Sequence, residues 1–334
     1  MAFNAARQPF SVSAVISLLL AVLFAVRYAA EPYSFEASFT GGMPLTAALT
    51  RFSMEYPWPA ALITVVIVVW ILFITVQLTV RYASATSRNY LPVQLFIITA
   101  CGITVPVEAL ASFLAAWLLV LSTRQFISSF RKEMRFEEVF RAGLYLGFIP
   151  LLYAPAALLL LLIPVAMSLY RRSARELTVC VAGALMPVPG AGFLYWACGE
   201  SPSFVYRELW RCVSERPALP FPAEIPIVAS VAAGLVAALV LIAVVWFLSH
   251  RKGMRTKQRK MMAHVSLMLL AVILSLPVPG SSPAVVPLAA VAAAMAVPYS
   301  FSGRQAGISS LLYCLLLVAV LTLNLAPVLG ISIP

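Results

Sequence analysis

The stretch AGLYLGFIPLLYAPAALLLLLIPVAMSLYRR, residues 142–172, decides the fold. From Ala142 to Tyr170 it carries no charge, is punctuated by Pro150, Pro155 and Pro164, and stops at Arg171 and Arg172. A bilayer core of about 30 Å is crossed by about 20 apolar helical residues. These 29 residues are too many for one straight span and few for two full ones. Proline removes a helix hydrogen bond and clashes with the preceding turn. The run is therefore predicted to be a hairpin of two short helices over 142–170, turning near Tyr153-Ala154-Pro155.

Working outward, the same character covers the chain. It is 62% hydrophobic and only 10% charged, with a mean hydropathy of +0.97, where a soluble domain carries about a quarter charged residues. Apolar runs predict spans near 11–29, 57–80, 89–105 and 109–123 before the hairpin, and near 177–198, 225–249, 262–276, 284–299 and 307–330 after it. The first is long for a signal sequence and reads as an uncleaved span. The fold class is all-α: one polytopic bundle over 1–334, with about 10–11 passes including the hairpin. Phe126, Ile127, Phe130 and Met134 recur at helical spacing within 124–141, with Arg131, Lys132 and Arg135 on another face. That pattern predicts an amphipathic helix at the interface. Residues 199–224 form the largest loop on the other side, with a short helix near 202–214 presenting Val205, Leu209 and Val213 on one face.

Charge sets the threading. Of the 23 Lys and Arg residues, 18 fall on one side of this arrangement, including six in HRKGMRTKQRK (250–260), and five on the other. Cations collect on the cytoplasmic side of a membrane protein. The expected location is a bacterial inner membrane, with the N-terminus cytoplasmic and the C-terminus periplasmic. The net charge of +11 is then explained by membrane lipids as partners, with anionic headgroups at the basic loops. Nucleic acid is not expected, because the interleaved aromatics and cations of a stacking platform are missing.

All 12 acidic residues are Glu, and only His250 and His264 represent histidine. Asp-based catalytic and metal motifs are excluded, a His-based zinc site is not supported, and no metal or cofactor is implied. The catalytic candidates are Glu31, Glu36 and Glu108, in loops on the cation-poor side, where a carboxylate could serve as a general base. Arg27 and Arg51, close by, are candidates for binding a phosphate. Met186-Pro187-Val188-Pro189-Gly190 falls inside a span, and unpaired backbone at that depth is tolerated only where protein buries it or a cavity receives it. Pro187, Pro189 and Gly190 are therefore substrate-binding candidates, and a break is expected within 186–191. The tetrapeptide Pro-Val-Pro-Gly recurs at 277–280, as paired broken helices do in repeat-built transporters. Cys198 and Cys212 fall on the same cation-poor side and are a disulfide candidate. Gly143 and Gly147 form a GxxxG that permits close helix packing.

The stretch FRAGLYLGFIPLLYAPAALLLLLIPVAMSLYRRSARELTVCVAGALMPV (140–188) resembles an uncharacterised family of Bacteroidota polytopic inner-membrane proteins. The resemblance extends over NYLPVQLFII (89–98) and the basic loop followed by LPVPGSS (276–282). More remotely, the AGLYLGFIPLLYAPAALLLLL…RR pattern is similar to the short-helix hairpin of GT-C-class polyprenyl-phosphate-sugar glycosyltransferases. That class places an acidic residue, commonly Asp, in the first outer loop, where this chain has Glu31 and Glu36. The first resemblance implies a multi-pass inner-membrane protein of unassigned role in the cell envelope. The second implies transfer of a lipid-linked sugar. The interrupted span suggests a third reading, a transporter or lipid flippase.

Overall fold

The computed structural model describes residues 10–30, 43–83, 91–104, 109–130, 135–199, 201, 203–214, 227–278, 280–301 and 306–328. In chain order the helices are α1 (Phe10–Ala30), α2 (Pro44–Glu55), α3 (Pro57–Ala83), α4 (Leu91–Ile103), α5 (Ala109–Ser128) and α6 (Phe136–Leu152). A 3-10 segment, Ala154–Leu161, leads into α7 (Leu162–Tyr170), followed by α8 (Ala174–Leu185), α9 (Pro187–Ala197) and α10 (Ser203–Ser214). The chain continues through α11 (Ile227–His250), α12 (Thr256–Ser275), α13 (Val285–Ala296) with a 3-10 extension Val297–Phe301, and α14 (Ala306–Val328). Among the described residues there is no strand, and the all-α bundle expected from the sequence is what forms.

Among the described residues, five helices are long and apolar enough to cross a membrane: Pro57–Thr79, Ala109–Ser128, Ala174–Ala197, Ile227–Gly253 and Gly307–Leu325. Their outer faces carry exposed Leu62, Val66, Phe73, Leu185, Leu194, Leu241, Val245, Leu311 and Val318. A protein wrapped this way in apolar side chains suits lipid rather than water. Tyr56, Trp58, Trp196 and Trp210 stand exposed toward one end, where the amphipathic rings of an interfacial belt belong.

Shorter apolar helices, Val15–Val26, Leu91–Ile103, Ala154–Tyr170 and Val285–Phe301, accompany these five among the described residues. One of them gains reach by tighter winding. The return from Ala154 to Tyr170 has 17 residues, as α6 does. Its 3-10 half rises about 2 Å per residue rather than about 1.5 Å. It therefore recrosses a depth of about 30 Å. The hairpin turns at Tyr153, whose extended backbone separates α6 from the 3-10 segment; its first arm starts earlier than expected, at Phe136.

The interior is built on α4 and α13. All of α4 except Val93 is buried, as is α13 except Val286 and Ala289. They pack on each other and are sheathed by α1, α3, α5, α11, α12 and α14. Small side chains permit the tightest contact elsewhere. A Cβ on Gly143 would lie 2.1 Å from the Cys180 carbonyl oxygen, and one on Gly147 would lie 2.1 Å from that of Ala184. The pairing 143 with 180 and 147 with 184 makes α6 and α8 parallel, with the 3-10 segment and α7 as the return between them.

Three expectations are corrected. Residues 124–141 do not form one interfacial helix: 124–128 complete α5, Phe126 and Ile127 are buried in the bundle, and Phe136 opens α6. The connection from α1 to α3 holds an unforeseen helix, α2, whose Thr46 hydroxyl donates to the Leu152 carbonyl at the hairpin tip. The two Pro-Val-Pro-Gly segments are not equivalent. The first lies within the α8–α9 helical path, with nothing within 4 Å of a Cβ on Gly190. The second is a turn, where a Cβ on Gly280 would lie 1.8 Å from the Cys212 carbonyl oxygen.

Candidate functional site at the basic end

The chain gathers its charged connections at one end. The loop before α6, the turn between α7 and α8 and the start of α12 meet there. Tyr170 lies 5.8 Å from His264, Phe130 lies 6.1 Å from Tyr170, and Lys260 Nζ sits 4.2 Å over the Phe130 ring. At the other end α10 packs on α9 and the hairpin tip through Val205, Leu209 and Cys212, beside Met43, Leu151 and Ala154. The outer-loop helix is thus a cap on the bundle.

The hub of the basic end is Glu176. Ser173 and Glu176 form a capping box: the Glu176 N–H donates to Ser173 Oγ (3.3 Å) and the Ser173 N–H to Glu176 Oε2 (3.1 Å). The carboxylate also accepts from the Arg135 N–H (3.1 Å) and from Arg172 Nη1 (3.1 Å), with both side chains of the ion pair buried. One carboxylate thereby ties the entry of α6 to that of α8. The Ser-x-x-Glu pattern before an apolar run is legible as a helix start; its link to Arg135 is not, because 41 residues intervene.

Beside this hub, a cleft of about 400 Å³ opens between α3, α5 and α6. Gln77 comes from α3, Arg124, Gln125 and Ser128 from α5, and Glu137, Glu138 and Arg141 from α6. The two carboxylates occupy the first turn of α6, where they complement the helix dipole, and pair with Arg141 and Arg135. Burial works to raise the Glu138 pKa, but the hydrogen bond and charge of Arg135, with the more distant charge of Arg172, hold it below the usual carboxylate value. Arg124 is exposed and has no ion-pair partner among the described residues. The cleft therefore offers one uncommitted guanidinium, three neutral hydrogen-bonding side chains and two charge pairs. That set suits a polar or phosphorylated group held by charge-assisted hydrogen bonds. No group of three His, Cys or Glu able to hold a metal occurs among the described residues.

The residues singled out from the sequence are described only in part. Glu31, Glu36 and Glu108 lie outside the described residues, as does the side chain of Arg27, whose backbone is in the last turn of α1. Arg51 is exposed on α2. The proline-rich segment is interrupted, but only at Met186, which keeps helical dihedrals (φ −59, ψ −37), and the Gly190 N–H already donates to the Met186 carbonyl (3.1 Å). Pro187 is buried, whereas Pro189 and Gly190 face outward beside exposed Leu185, Met186 and Phe193. At Pro189 and Gly190 the interruption faces outward, among apolar side chains. Cys198 is exposed after α9, Cys212 is half-buried under α10, and no disulfide joins them. Sequence reasoning missed the cleft because its polar residues come from three helices at spacings that carry no motif.

The chain matches no protein-family model, no curated protein and no solved structure.

Proposed function

We propose that this is an integral protein of a bacterial inner membrane, its basic end in the cytoplasm, serving the cell envelope by binding a polar group in the α3–α5–α6 cleft. One observation carries the reading: three of the four ion pairs among the described residues share one end with the polar cleft, in a bundle whose interior is apolar or neutral. Buried polar side chains at depth are neutral, and some, such as Gln94 on Tyr313 and Thr123 on the Leu119 carbonyl, are engaged within the protein. Ion-coupled transport needs ionisable groups along a path. Among the described residues of the spans, His264 alone is a buried ionisable side chain outside the hub, apart from Cys and Tyr.

Orientation is tested with two thiols. Cys198 is exposed at the cation-poor end. Gly253 lies in the basic loop, with nothing within 4 Å of an added Cβ, so Gly253→Cys fits. An impermeant maleimide applied from the periplasmic side is expected to label Cys198, and to reach the Gly253→Cys thiol only after the inner membrane is opened. The reverse pattern would overturn the orientation. For the cleft, an Arg124→Gln/Arg141→Gln variant that accumulates normally is expected to fail in restoring envelope integrity to a deletion strain. Full restoration would remove the cleft from the protein's function.

A further inference from the structure

A second feature of the basic end combines an apolar groove with cations on the same faces. The groove, of about 410 Å³, lies between α7 and α12 and is lined by Pro164, Val165, Ser168, Leu169 and Leu267. It opens outward, since Pro164, Val165 and Ser168 are exposed. Residues four and seven apart share a helix face. Pro164 and Ser168 therefore share a face of α7, and Lys260 and Leu267 one of α12. Beyond these lining residues, toward the basic end, come Arg171, directly after α7, and Lys260, near the start of α12.

Around that mouth the cations crowd. Lys260 is partly buried, and its pKa is lowered first by burial and then by the nearby charges of Arg171, Arg172 and Arg259. Glu176, the carboxylate beside them, is occupied by Arg172, Arg135 and Ser173. Arg171 adds a second, independent sign. It closes α7 in the left-handed conformation (φ 55, ψ 50), where Gly or Asn is the favoured residue. A side chain of this bulk at such a backbone costs about 1 kcal/mol or more. A guanidinium is kept there nonetheless, three residues beyond the groove-lining Ser168 and among like charges.

We infer that the α7–α12 groove holds one acyl chain of an anionic phospholipid, with Arg171, Arg259 and Lys260 gripping its phosphate. Guanidinium and ammonium groups bind phosphate by charge-assisted hydrogen bonds, and basic pockets between transmembrane helices suit acidic headgroups. The site is separate from the α3–α5–α6 cleft and stands whichever side of the membrane the basic end faces.

The test uses the full chain purified in neutral detergent, with lipid adducts counted by native mass spectrometry and thermal unfolding followed during titration. Phosphatidylglycerol is expected to bind at least tenfold more tightly than phosphatidylcholine and to raise the unfolding temperature; inorganic phosphate at equal concentration is expected to do neither. An Arg171→Asn/Arg259→Gln/Lys260→Gln variant should lose at least tenfold in phosphatidylglycerol affinity. Arg171→Asn alone, whose side chain suits the left-handed backbone, should lose at least threefold without impairing folding. Val165→Trp/Ser168→Trp, which fills the groove and spares every cation, should lose as much as the triple variant. Lys252→Gln/Lys257→Gln, removing two exposed charges from the same loop, should change nothing. The inference is overturned if folded Arg171→Asn or the filled groove binds as the parent does, if phosphate alone reproduces the stabilisation, or if the loop control weakens binding as much as the triple variant.

Discussion

At Gly143 and Gly147 the distance between two helices is set by a missing methyl group. The atoms an added Cβ would strike are the carbonyl oxygens of Cys180 and Ala184, at 2.1 Å, and backbone atoms cannot step aside as a side-chain tip can. Gly143→Ala or Gly147→Ala is expected to pry α6 from α8 and to lower stability by about 3 kcal/mol or more. Gly190→Ala meets open space inside a helix and is expected to raise it by about 0.5–1 kcal/mol. Thermal unfolding in detergent compares the three. Glu176 can be dissected similarly. Glu176→Gln keeps a side chain that can complete the capping box and loses only the charge facing Arg172. Glu176→Ala loses both; the buried Arg172 left without its carboxylate costs either variant about 3–5 kcal/mol, and the lost cap adds to that in alanine alone. The alanine variant should therefore unfold at a clearly lower temperature than the glutamine variant. Equal unfolding temperatures would mean that the cap contributes nothing.

Among the elements, most long spans were legible to within a few residues, because an unbroken apolar run between charges has one economical solution in lipid. The legible part stops where partners are distant in sequence. The apolar spacing of Phe126 and Ile127 reads equally well as an interfacial face and as the last turn of a buried helix; packing decides for α5. The α2 segment was missed because its weakly apolar sequence, PLTAALTRFSME, lacks the length and hydropathy that flag a span. The paired Pro-Val-Pro-Gly segments mislead because identical local chemistry enters two settings, a helix interior and a turn under α10. Within the α10 cap, Val205 is the buried anchor. Val205→Asn is expected to loosen the cap and expose Cys212. Its maleimide labelling should accelerate several-fold, approaching that of exposed Cys198, while global unfolding changes little. Unchanged protection of Cys212 would show that the cap is held elsewhere.

For the molecule as a whole, the division of labour between ends was legible as a charge count, whereas the working surfaces were not. The cleft and the groove are assembled from helices far apart in sequence, and their polar members are ordinary residues in ordinary numbers. The catalytic candidates drawn from the sequence were chosen by residue type and loop position; Glu31, Glu36 and Glu108 remain proposals for the cation-poor face. What three dimensions add is neighbourhood: Arg135 beside Glu176, Lys260 above Phe130, and Pro164 across a groove from Leu267.

The burial of α4 has a consequence for how the chain is made. Its 13 residues rise about 20 Å, well short of the roughly 30 Å hydrocarbon layer. Its main cover, α13, is synthesised more than 180 residues later. At a translation speed of about 5–20 residues per second, α4 waits on the order of ten seconds or more for α13, at first with α1 and α3 and then with α11 beside it. During that interval the nascent chain offers Gln94 and an incompletely covered helix to any insertase or protease that patrols the bilayer. Biogenesis of this protein is therefore an assembly problem in time, with the last third of the chain closing a site opened by the first.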